Sequence, residues 1–107
     1  MTDDFQQKIQ KQIESHPVVI YIKGSKEQPM CGFSAQVIQI MNQIGKPYET
    51  IDVLSDAEIR SRLPAFSKWP TFPQVFVQGK LIGGCDIVTE MYESGELEPL
   101  IHSAFAK

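Results

Sequence analysis

Phe5, Ile9 and Ile13 recur every fourth residue with polar residues between them, and this spacing predicts a helix whose apolar stripe ends before Pro17. Residues 18–23 change the pattern to a short run rich in β-branched side chains, which predicts a buried strand followed by a polar loop over 24–30. From 33 to 44 the set Phe33, Val37, Ile38, Met41 and Ile44 returns to helical spacing, and Gly45 sits where a helix end favours a left-handed residue. Residues 48–53 read as a second strand, with Ile51 and Val53 alternating against Thr50 and Asp52. Ser55-Asp56-Ala57-Glu58 matches a capping box, in which the serine and glutamate side chains satisfy the free amides of a helix start. Ile59, Leu63 and Phe66 then face the core, and Pro64 should kink or shorten that helix. Segments 74–78 and 81–82 flank Gly79-Lys80, a two-residue connection suited to a tight antiparallel hairpin. Helical patterns over 86–93 and from Leu97 to Phe105 close the chain.

The expected class is therefore α/β, with a four-stranded mixed sheet flanked by helices. The first strand, helix and second strand form a right-handed parallel crossover, and the hairpin supplies antiparallel neighbours. At 107 residues the chain fits one domain spanning 1–107, with no repeat or linker to divide it. The 42% hydrophobic and 21% charged residues match globular usage rather than disorder. A net charge of -3 offers little basic surface for phosphates, which argues against a nucleic-acid partner. The run Val18–Ile22 is far short of the roughly 20 residues that cross a bilayer, so no membrane association is expected. The acidic start has no secretory pattern, and two cysteines are too few for a disulfide scaffold. Both features fit the cytoplasm, where thiols stay reduced.

Cysteine chemistry alters this bland picture. Cys31 falls between the polar loop and the second helix, where unpaired amides and the positive dipole end favour thiolate over thiol. It is the expected nucleophile and redox-active centre. Three residues on, where a redox pair would place its second thiol, stands Ser34, so Cys31 has no resolving partner within its motif.

Cys31-Gly32-Phe33-Ser34, Trp69-Pro70-Thr71-Phe72-Pro73 and Gly83-Gly84-Cys85-Asp86, with Lys23-Gly24 upstream, resemble the signatures of CGFS-type monothiol glutaredoxins across nearly the whole chain. The resemblance implies a thioredoxin-like fold, glutathione binding, and assembly, carriage or transfer of a [2Fe-2S] cluster. Such a cluster takes four ligands, usually thiolates, and each chain offers only Cys31 in the motif. The resemblance supplies glutathione for the other positions, giving a homodimer bridged by a cluster that Cys31 of each chain ligates.

The same resemblance implies a glutathione site. Lys23 meets a carboxylate, Arg60 pairs with the glycine carboxylate, and Phe72 presents its backbone beside a cis bond to Pro73, the residue type at which a cis bond is cheap. Cys85 and Asp86 open the next helix, where free amides and the Asp86 side chain receive the γ-glutamyl group. Each residue also has an ordinary reading: a solvated lysine or arginine, a trans turn, a plain helix cap at Asp86. Trp69 reads equally as groove wall or core. Cys85 reads as a disulfide partner for Cys31 or as a passive small side chain, and not as a cluster ligand. The family further implies that the loop 25–29 favours cluster binding over thiol exchange. The rival roles are a glutathione-dependent thiol-disulfide oxidoreductase, working through Cys31 alone, and an adaptor for a BolA-like iron-regulatory partner. Apo iron-sulfur proteins would be the recipients.

Overall fold

A computed structural model describes residues 4–106; the first three residues of the acidic start and Lys107 lie outside the described residues. The elements run α1 (Asp4–Glu14), β1 (Val18–Ile22), α2 (Gly32–Ile44), β2 (Glu49–Asp52), α3 (Ala57–Ser67), β3 (Gln74–Val77), β4 (Lys80–Gly83), α4 (Cys85–Ser94) and α5 (Leu97–Ala104). The strands lie in the order β2-β1-β3-β4. β1 pairs parallel to β2 and antiparallel to β3, and β3 pairs antiparallel to β4. The expected mixed four-stranded sheet is present, with helices on both faces.

All five residues of β1 are buried, and alternation along the strand divides them between two cores. Val18, Ile20 and Ile22 pack with Val37, Met41, Val88 and Ile101 from α2, α4 and α5. Val19 and Tyr21 face the other way, against Phe5, Ile9 and Ile13 of α1 and Ile59 and Leu63 of α3. A strand buried on both faces reads as a continuous apolar run rather than an alternating one, which is the pattern of this segment. No helix among the described residues is long and apolar enough to cross a membrane.

Four local expectations need correction. The capping box does not form: α3 is capped one residue later by Asp56, whose carboxylate accepts from the Ile59 N–H at 3.1 Å, while the Ser55 hydroxyl donates to Asp52 at 2.9 Å. Aspartate caps as well as serine, and Asp52 is a competing acceptor for the Ser55 hydroxyl. Pro64 does not end α3, which runs on to Ser67. The carbonyl it cannot serve, four residues back, is that of the exposed Arg60. The hairpin turns at Gln78-Gly79, with φ of 52° and 77°, and Val77 opposite Lys80. Two successive positive φ angles match the twist of a right-handed hairpin. Phe33 belongs to α2 but is 61% exposed, whereas Ser34 is buried.

Candidate functional site

The end of β1 and the start of α2 are held together by short polar contacts. The Ser34 hydroxyl accepts from the Lys23 N–H at 3.2 Å, so the serine in the motif fastens the helix start to the strand end. The next residue, Gly24, donates its N–H to Asp52 at 2.9 Å. That amide, more than any other partner, holds the Asp52 carboxyl below its usual range. The intervening loop closes on itself: the Met30 N–H donates to the Lys23 carbonyl at 2.8 Å, and Gly24 bridges to Pro29. Lys26 donates to the Tyr48 carbonyl at 2.9 Å with its ammonium 4.4 Å from the centroid of the tyrosine ring. Cys31 is thus delivered by a loop fixed at its base and along its length.

Cys31 is the N-cap of α2, with extended backbone (φ -149°, ψ 137°), and its carbonyl accepts from the Ala35 N–H at 2.9 Å. Its half-buried thiol makes no capping hydrogen bond, so the helix start acts on it electrostatically. The Ser34 amide lowers the thiol pKa most; the Phe33 amide, the Ser34 hydroxyl and the Lys23 charge add to it, against desolvation that raises it. Thiolate fraction, and with it alkylation rate, rises with pH and levels off above the pKa. We expect the iodoacetamide rate of Cys31 to reach half its plateau below the free-cysteine value of about 8.5. A midpoint at or above that value would refute a stabilised thiolate.

Cys31 opens onto a cavity of about 530 Å³, also lined by Lys23, Phe33, Trp69, Pro70, Thr71, Phe72, Gly84, Cys85 and Asp86. This volume lies within the roughly 300–1,000 Å³ of small-molecule sites. Lys23, Cys31, Phe72, Cys85 and Asp86, singled out in the sequence, therefore share one cavity wall. Arg60 does not join them; it is exposed on α3. The Phe72-Pro73 peptide is cis. Gly84, not Asp86, is the N-cap of α4, which leaves the exposed Asp86 carboxylate in the first turn, beside amides that favour negative charge. Cys85 is a buried free thiol, 3.9 Å from the Thr89 hydroxyl.

Trp69 is half-buried and joins neither core cluster among the described residues. It lines the cavity, while its indole nitrogen is buried without a partner among the described residues. A Cβ on Gly84 would lie 2.9 Å from that nitrogen and 3.0 Å from the Pro73 carbonyl, so the chain crosses here only as glycine. Close backbone approach at Gly84 is what the Gly83-Gly84 pair leads one to expect, whereas two contributors carry no role in the sequence reading: Ser34 as the fastener of the helix start, and Gln74. Ser34 had a signal, since it stands three and four residues before Val37 and Ile38 and so continues their buried stripe.

A family model described as Glutaredoxin matches residues 18–82. Glutaredoxin 4 of Escherichia coli (strain K12) is 50% identical over 101 residues, covering 94% of this chain and 88% of that protein. The solution structure of reduced poplar apo GrxS14 is similar with a TM-score of 0.83 at 40% identity, covering 96% of this chain and 94% of that one. The crystal structure of the buckwheat glutaredoxin-glutathione complex is similar with a TM-score of 0.82 at 33% identity, covering 94% and 89%.

Proposed function

Because the chain belongs to the glutaredoxin family, as a monothiol member of the glutaredoxin 4 type, we propose that it binds glutathione beside Cys31 and carries a [2Fe-2S] cluster shared between two protomers. One observation carries the reading: a half-buried thiol of lowered pKa opens onto a cavity whose wall also offers a cation, an irregular backbone edge and a helix start. These are the groups a tripeptide with two carboxylates, an amine and a thiol requires. The similar buckwheat protein is a glutaredoxin-glutathione complex, which supports the choice of ligand.

In this reading Lys23 meets one glutathione carboxylate and the Phe72 backbone pairs with the cysteinyl residue. The α4 amides and Asp86 take the γ-glutamyl group. Arg60 reaches the glycine carboxylate from outside the wall. The cluster is cargo. It needs four ligands, and the chain has two cysteines, of which Cys85 is buried. Cys31 and one glutathione thiol from each protomer complete the set, with residues 1–107 acting as one domain in a reducing cytoplasm. Apo iron-sulfur proteins and a BolA-like partner belong to the same proposal through the family resemblance.

Anaerobic reconstitution with iron, sulfide and glutathione is expected to give a coloured dimer, and omission of glutathione a colourless monomer. A colourless monomer in both would refute cluster carriage. Cys31-dependent turnover of a glutathionylated thiol by such a monomer would favour the oxidoreductase role.

A further inference from the structure

We propose that Gln74 is a positioning residue of the glutathione site, setting the backbone that Phe72 presents to the ligand; this rests on the glutathione reading above. Gln74 opens β3, opposite Tyr21 of β1, and it is fully buried. The rest of the strand is Val75, Phe76 and Val77, so a polar side chain here is not a requirement of the sheet. Its amide nitrogen donates to the Trp69 carbonyl at 2.9 Å and to the Thr71 carbonyl at 3.2 Å. Both acceptors are carbonyl oxygens, so only the NH2 end of the amide can face them. The amide oxygen is left buried without a partner among the described residues, a cost that an apolar side chain would avoid.

What that cost secures is the loop 69–73. Trp69, Thr71 and Phe72 all line the cavity, and the side chain that ties two of their carbonyls lies behind them. The Thr71 carbonyl shares a peptide unit with the Phe72 N–H, and in a planar trans peptide these two groups point in opposite directions. Anchoring the carbonyl towards the buried strand therefore turns the Phe72 N–H away from it, towards the side from which a ligand approaches. The backbone edge is in this way fixed before glutathione arrives, and an oriented donor costs less ordering on binding than a mobile one.

The test is calorimetric titration of reduced glutathione into the wild type, Gln74→Met, Gln74→Glu and Lys23→Gln, together with the pH profile of Cys31 alkylation. Methionine keeps the volume without the donors, and glutamate sets an acceptor against two carbonyls. Both Gln74 variants should weaken glutathione about tenfold, as expected for lost hydrogen bonds that leave partners unsatisfied, while the Cys31 profile stays in place. A purely structural role would lower the melting temperature and leave the affinity of the folded protein unchanged. Wild-type affinity in both variants, with Lys23→Gln weakened, would overturn the positioning role and leave the glutathione reading standing. No binding by the wild type would overturn both. Should the variants not fold, the Gln74 side-chain NH2 resonances of the wild type decide: slow solvent exchange and a shift on glutathione saturation support the role, and fast exchange without a shift rejects it.

Discussion

Cys31→Ser should abolish cluster assembly and rapid thiol alkylation while raising the melting temperature. The loss follows from the chemistry: a serine hydroxyl stays protonated at neutral pH, and the remaining thiol, Cys85, is buried in the cavity wall. The gain follows from the helix. Cys31 occupies the N-cap of α2 without a capping bond, and serine is among the preferred residues there, worth about 1 kcal/mol. For a domain of this size that corresponds to roughly 4 °C. The gain should be larger at about pH 6 than at about pH 8.5. A thiol whose pKa is lowered by folding adds stability above its unfolded value and loses it as pH falls through the folded one. The lowered pKa of Cys31 therefore makes the wild type close the gap as pH approaches about 8.5. Thermal melts at the two pH values, with visible absorption after reconstitution, check both halves. Colour retained by Cys31→Ser would remove this sulfur from the cluster.

Gly24→Ala is the second large effect, and it strikes the loop rather than the thiol. Gly24 has a φ of 98°, a region that side chains disfavour by about 1–2 kcal/mol. A Cβ there would also lie 2.6 Å from the Gln28 carbonyl and 2.7 Å from the Met30 nitrogen. These are backbone atoms of the turn that ends at Cys31, so they cannot rotate aside. Overpacking of this kind adds about 1–3 kcal/mol, for a total of about 2–5 kcal/mol. Relief requires breaking the Met30-to-Lys23 hydrogen bond, which frees Cys31 from its place at the helix start. Urea denaturation should show the destabilisation, and the alkylation midpoint should move up towards that of free cysteine. A wild-type denaturation midpoint would show that the loop yields without cost.

Much of this protein is written in local pattern. The order of nine elements, the stripe Phe5, Ile9, Ile13 and the loop-to-helix placement of Cys31 each depend on residues close in sequence, so periodicity and turn chemistry carry them. The motif residues added what periodicity lacks, and five of the six singled-out positions line one cavity.

Other features were decided only when distant segments met. Phe33 has the spacing of a core residue and yet lies exposed at the cavity, while Ser34 beside it is buried. Asp56 rather than Ser55 caps α3, since Asp52 holds the Ser55 hydroxyl. Gln74 looked like the first residue of an apolar strand, and its task appears only where the loop 69–73 folds back over it. By itself the sequence determined the order and type of the elements and where a reactive thiol stands, because those depend on side-chain spacing and on the helix that follows. The tertiary structure alone decided which backbone carbonyls and amides converge on that thiol, because hydrogen-bond partners brought together across a fold leave no mark in the spacing of either segment.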